Sequence, residues 1–95
     1  MATLLISYDL VREGSNYEKK RDAVVKEIEG IGTERWHMLT TTWLVVTSET
    51  PEQVRNKIGK HLDSNDKLIV LTANAPAAWK GFNDAGSAWL KKVLK

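Results

Sequence analysis

The chain has 95 residues, 42% of them hydrophobic and 27% charged, with 14 basic side chains against 12 acidic for a net charge of +2. That is the scale of one small domain, too small for a large enclosed cofactor pocket, and its thin core would gain from a partner subunit. The absence of cysteine excludes disulfides, thiolate zinc sites and a cysteine nucleophile.

The mild positive balance lies well below that of a protein that coats DNA. The longest apolar runs, Trp43 to Val46 and Leu68 to Leu71, fall far short of the roughly 20 residues that cross a bilayer. The first residues lack the basic region, long apolar stretch and small-residue cleavage site of a signal peptide. A cytoplasmic protein with no membrane association is expected.

Thr3 to Asp9 alternates, with Leu4, Ile6 and Tyr8 on one side and Thr3, Leu5, Ser7 and Asp9 on the other, which predicts a strand. Ser15 and Glu18 fit a capping box, so a helix begins near Asn16. Tyr17, Arg21, Val24, Val25, Ile28 and Ile31 form its inward stripe, and Gly30 and Gly32 punctuate its end. Glu34 to Leu39 and Thr42 to Thr47 are aromatic and β-branched and read as two strands. Their connection at Thr40 to Thr42 contains no glycine, so a bent strand pair with a bulge is the competing description.

Thr50-Pro51-Glu52-Gln53 is a helix start, with a threonine cap and a proline where no amide hydrogen is needed. Val54, Ile58 and Leu62 supply its buried side. Asp63 to Asp66 reads as an Asx turn leading into a fourth strand, Lys67 to Thr72. After a loop over Ala75 to Phe82, Asp84 is the expected cap of a last helix whose Ala85, Ala88, Trp89 and Val93 sit apart from Lys91, Lys92 and Lys95.

Strand, helix, strand, strand, helix, strand is the split βαβ order of an α+β, ferredoxin-like fold: a four-stranded antiparallel sheet plus an additional C-terminal helix. One domain over 1–95 is expected, with its core in 2–73 and the loop and helix in 74–95. Right-handed crossovers place the strands in the order four, one, three, two, with both main helices on one face. The other face would be a large apolar patch in water, so a second copy, the C-terminal segment or both should cover it. Trp36, Trp43, Trp79, Phe82 and Trp89 are the candidates for that cover or for a dimer interface, with the core the alternative place for Trp36 and Trp43.

The same topology gathers Asp9, Thr40 to Trp43 and Asp63 to Asp66 at one edge of the sheet, because neighbouring strands run antiparallel. The first helix starts at that edge with Ser15 and Asn16, and the second ends there with His61. This is the polar end of the molecule.

Ser7-Tyr8-Asp9-Leu10 closing the first strand, the βαββαβ order and the length resemble CRISPR-associated protein 2 and, more distantly, the virulence-associated protein D ribonucleases. The blocks Trp36-His37-x-Leu39-x-Thr41-Thr42-Trp43-Leu44-Val45, Asn65-Asp66-x-Leu68-x-Val70 and Ala78-Trp79-x-Gly81-Phe82 resemble most closely the short bacterial and phage proteins labelled "SinR family". The resemblance implies a homodimer of this fold. It also implies, for some relatives, divalent-metal-dependent cleavage of RNA or DNA through the aspartate that ends the first strand, here Asp9. Other relatives act without catalysis as scaffolds, and the helix-turn-helix regulator that shares the SinR name has no counterpart in these residues.

Magnesium or manganese needs few carboxylates, and Asp9 from each copy of a dimer would supply a pair; no cofactor is needed for the fold. An aspartate at a strand end equally caps a loop. His37 is the candidate general base and otherwise an interface residue. His61 is a further base candidate, or simply a favourable charge at a helix end. Arg12, Asn16, Thr41 and Thr42 are candidate substrate contacts, and Arg12, Lys19, Lys20, Arg21 and Lys26 could together track phosphates or form an ordinary solvated face. A non-catalytic protein-interaction module is the competing function, acting as an adaptor, a toxin–antitoxin component or a phage-encoded inhibitor of a host protein.

Overall fold

The computed structural model of the chain describes residues 1–11 and 17–95. The expected Ser15–Glu18 capping box, with Arg12 and Asn16, therefore lies outside the described residues. The elements follow in the order β1 (Ala2–Asp9), α1 (Tyr17–Glu29), β2 (Glu34–Leu39), β3 (Thr42–Thr47), α2 (Pro51–Gly59), β4 (Lys67–Thr72) and α3 (Asp84–Val93). Every strand pairing is antiparallel, and the sheet runs β2-β3-β1-β4. This is the ferredoxin-like order read from its other edge, with α3 added at the C-terminal end.

Alternation in β1 decides which side becomes the core. Leu4, Ile6 and Tyr8 are buried and pack with Trp43 and Val45 of β3, Val24 and Ile28 of α1, Val54 and Ile58 of α2, and Ile31. Both main helices thus cover one face. The inward stripe of α1 departs from expectation at one position. Arg21 is exposed, and Lys20 is the charged residue drawn inward, its side chain only 12% exposed.

Two local devices fix the frame. At the start of α2, Thr50 Oγ1 accepts from the Gln53 amide at 3.1 Å while Gln53 Oε1 accepts from the Thr50 amide at 2.9 Å, so two amides that the helix cannot satisfy find partners. Between α1 and β2, Gly32 has φ +73, and a Cβ there would collide with the Val46 carbonyl oxygen, which accepts from the Thr33 amide at 2.9 Å. Only glycine combines that backbone angle with that approach.

The β2–β3 connection combines both sequence descriptions: a turn at Thr40 and Thr41, and a register shift in β2 between Trp36 and Leu39. α3 is capped by Asn83, whose side chain accepts from the Gly86 amide at 2.8 Å, rather than by Asp84. Its buried residue is Leu90, and Ala85 and Ala88 face solvent. Trp89 and Val93 are half-buried as expected, while Gly86, in place of Ala85 or Ala88, lies against the Trp36 ring.

α3 crosses the second face of the sheet. Trp36 meets Phe82 at 4.9 Å and Trp89 at 6.0 Å between ring centroids, both edge-on. Thr3 Oγ1 donates to the Val93 carbonyl at 2.7 Å, and Glu34 accepts from Trp89 Nε1 at 3.2 Å and Lys92 Nζ at 2.6 Å. These bonds hold the Glu34 carboxyl below its ordinary value, the Lys92 contact first and Trp89 second. The C-terminal segment therefore covers part of this face, with Phe82 and Trp89 against Trp36, while Trp79 Nε1 donates to Ser87 within the segment at 3.1 Å. Trp43 does not belong with them. Alternation along β3 turns it to the helix side, where it is buried in the core and its Nε1 donates to the Tyr8 hydroxyl at 3.4 Å.

Candidate functional site

Beyond the row of Glu34, Val46 and Thr3 beneath α3, the registers place three further cross-strand rows on the second face. Trp36, Leu44, Leu5 and Leu71 form an apolar row, followed by Leu39, Thr42, Ser7 and Ile69, and then by Asp9 opposite Lys67 at the rim. The surface thus passes from apolar to hydroxyl-bearing to charged within three rows. Ser7 Oγ and Thr42 Oγ1 lie 3.0 Å apart, and Tyr8 donates its amide to the Thr41 carbonyl at 3.1 Å. Ser7, Asp9, Thr41, Lys67 and Ile69 line an open depression of about 390 Å³. Asp9 is exposed to solvent there.

Asp66 makes this rim rigid. Its side chain is fully buried and accepts from the amides of Val11 and Asp63, both at 2.8 Å, and from Lys20 Nζ at 2.7 Å. Burial pushes the Asp66 carboxyl up, but the Lys20 bond and the two amides outweigh it and hold the group below its ordinary value. The Asp66 and Asp63 bonds in turn raise Lys20. One carboxylate therefore ties the exit of β1, two residues beyond Asp9, to the entry of β4 and the first turn of α1. The Asp63–Asp66 turn is present as expected, closed by the Asp66 amide donating to the Asp63 carbonyl at 3.1 Å.

Sequence reasoning missed the buried role of Asp66. The available signal was an aspartate immediately before a strand whose neighbour ends at an equivalent height, together with a lysine inside an otherwise amphipathic helix.

The rim brings Asp9, Thr41 and Thr42 together and leaves both histidines elsewhere. The His37 ring stacks on Trp43 at 4.1 Å with 6° between planes, on the helix side, and its Nε2 lies 2.8 Å from the Thr40 carbonyl. Asp9 occupies the opposite face, so His37 does not reach it. His61 turns toward the last turns of α1, where its Nε2 lies 3.0 Å from Glu27 and Lys60 adds a contact at 3.1 Å. These two bonds hold the Glu27 carboxyl below its ordinary value, His61 first. On the outer face of α1, Lys19 and Lys26 are interleaved with Asp22 and Glu29, and Lys20 is engaged by Asp63 and Asp66, so no single-sign groove runs along it.

Among the described residues no group of three or more histidine, aspartate or glutamate side chains could hold a metal. Asp9 offers one carboxylate, with the Ser7 and Thr42 hydroxyls nearby. This does not form a protein cage, but it suits magnesium or manganese, which keep several waters and use one or two carboxylates with substrate phosphates. No helix among the described residues is long and apolar enough to cross a membrane. No protein-family model matches the chain, and no curated protein matches it in sequence.

Proposed function

We propose that the chain acts as a small homodimeric, cytoplasmic protein of the CRISPR-associated protein 2 kind that binds nucleic acid or nucleotide at the Asp9 rim. The observation that carries this reading is the shared depression that holds Asp9, Lys67, Ser7 and Thr41. An ammonium and hydroxyls are donors for phosphate oxygens, while a carboxylate accepts from sugar hydroxyls or anchors a hydrated cation. Asp9 is the residue that would hold magnesium or manganese. Such an ion, when bound, neutralises phosphate charge and acidifies a water. Lys67 orients the phosphate, and Thr41 and Thr42 shape the entrance.

The test is binding of single-stranded RNA, double-stranded DNA and free nucleotides across a salt series. Lys67→Ala should weaken binding uniformly across sequences and reduce the salt slope by about one. Asp9→Ala, with the fold intact, should abolish magnesium- or manganese-dependent cleavage. Salt-independent absence of binding overturns the reading, and wild-type protein that binds without cleaving restricts it to a binding role.

A second reading rests on a different feature. Beside α3, a groove of about 580 Å³ is lined by Leu5, Leu71, Trp79, Phe82 and Leu94, a surface suited to an apolar protein segment. One stoichiometric protein partner in a pull-down, with no salt-sensitive nucleic-acid binding, would select this interaction-module function.

A further inference from the structure

The two edge strands of the sheet are built differently. The β2 edge carries Glu34, Arg35 and His37, is broken by the register shift after Trp36, and is strapped by α3 through Glu34. Bulges, charges and covering segments are the usual devices that stop an edge from pairing with another chain. β4 has none of them along its middle. It pairs with β1 in unbroken register from Lys67 to Thr72, and Leu68-Ile69-Val70-Leu71 separates its one charge from its far end. Ile69 and Leu71 are 54% and 39% exposed.

The direction of its free backbone groups follows from one bond. Ala73 donates its amide to the Thr3 carbonyl at 2.8 Å, so Thr3–Ala73 is a closely spaced pair. Counting along the register, Leu5–Leu71, Ser7–Ile69 and Asp9–Lys67 are also closely spaced pairs, and the amides and carbonyls of Leu68, Val70 and Thr72 point away from β1. Among the described residues, none of these three outward amides is a donor in a backbone bond beyond the sheet.

We propose that this edge joins β4 of a second copy, antiparallel about a two-fold axis at Val70, to make one continuous eight-stranded sheet. In that register Val70 faces its own counterpart and Leu68 faces the partner's Thr72, so all three outward residues form closely spaced pairs with about six new backbone bonds. On the second face, Ile69 of each chain meets Leu71 of the other, and both exposed aliphatics are covered. A two-fold axis at Ile69 makes only about four such bonds and sets the Lys67 ammonium against Leu71. Hydrogen bonding and side-chain cover thus select the same register, and both are properties of this strand pairing with itself.

The inference deepens the homodimer of the proposed function and rests on that part of it alone. It also alters the expectation for Asp9. The two rims fall at opposite ends of the joined sheet, so each carboxylate works singly and no ion bridges the pair.

Sedimentation of the full chain across concentration, at high salt and low salt, tests this. Wild type should sediment at twice the chain mass. Ile69→Lys places two like-charge or charge-to-leucine contacts at the seam and should raise the dimer dissociation constant by on the order of a hundredfold. Ile69→Lys combined with Leu71→Glu should restore the dimer, because each introduced lysine then faces a glutamate only when the axis is at Val70; Ile69→Lys with Leu71→Lys should not. Thr72→Pro removes an outward amide that serves no bond within the chain and should weaken association while thermal unfolding of the monomer stays unchanged. A monomeric wild type overturns both this inference and the homodimer. A dimer indifferent to Ile69→Lys and Thr72→Pro overturns the edge alone, and nucleic-acid binding, read separately by its salt slope, stands or falls on its own.

Discussion

The two faces of this sheet are filled by different means. On the helix side, Leu4, Ile6, Val24, Ile28, Val45, Val54 and Ile58 have no solvent exposure at all. On the other side, cover is graded: Leu44 of β3 and Leu90 of α3 are buried, Leu5 is half-buried, and Ile69 and Leu71 are exposed. Two helices fill the first face, whereas one short helix reaching from Glu34 and Trp36 of β2 to Thr3 of β1 leaves Ile69 and Leu71 of β4 exposed. The first face holds the fold together. The second carries the rim carboxylate and the apolar groove and borders the free edge of β4.

The sharpest way to break that contrast is to excavate one residue from each face. Ile28→Ala should cost about 3 to 4 kcal/mol, as the transfer term and an unrelaxed cavity add, and should lower Tm by more than 12 °C or so in a domain of this size. Leu71→Ala, on the graded face, should cost less, about 1 to 2 kcal/mol, because the side chain is already 39% exposed and its loss leaves an open groove and not a sealed cavity. Urea unfolding of both variants measures the ratio, and comparable losses would mean that the second face is as tightly sealed as the first.

Gly32→Ala tests the frame between the faces. A positive φ and a collision with the Val46 carbonyl both oppose the added Cβ, so a loss of about 2 to 3 kcal/mol is expected by denaturant unfolding.

Asp66→Asn is next, at roughly 2 kcal/mol near neutral pH, since the charge that draws Lys20 and two amides is removed while the shape remains. Its pH signature has a definite sign. A carboxyl held below its ordinary value of 3.8 contributes stability that is present above that pH and lost as pH falls through the native value. Lys20, raised above 10.5, contributes stability present below that pH and lost as pH rises through its native value. Wild type should therefore weaken below about pH 4 and again above about pH 10.5. The Asn variant should lose much of both limbs, leaving the acid sensitivity that Glu27 and Glu34 supply.

How far the sequence reaches is visible in particular residues. The strand order, both main helices and the packing of Phe82 and Trp89 over the second face were legible because alternation and helical spacing are local signals that packing then obeys. Trp43 was left between core, cover and interface because a tryptophan beside Leu44 and Val45 is apolar on either side of a strand, and only the pairing of β3 with β1 decides which side faces the helices. His37 was a candidate base by residue type alone, and alternation and the bulge set it on Trp43 and the Thr40 carbonyl, away from Asp9. Asp66 was read as a turn former, since nothing local distinguishes an exposed Asx residue from a buried one that holds three donors. Patterns along the chain gave the elements; contacts between distant elements gave the roles of the polar residues.

The smallest expected effect is also the most discriminating. Ile69→Ser on the bare strip should change the stability of the monomer by under about 0.5 kcal/mol, because the side chain is more than half exposed and leaves no cavity. Tertiary packing within one chain gives the isoleucine little reason to be there, and a serine would serve a free edge better. If unfolding followed at a concentration where the chain is fully monomeric shows this near-zero change, while the same substitution at high concentration lowers Tm, the isoleucine is stabilising an assembly and not a fold. A concentration-independent loss of 1 kcal/mol or more would instead assign Ile69 to the packing of its own chain and merge the two faces into one core.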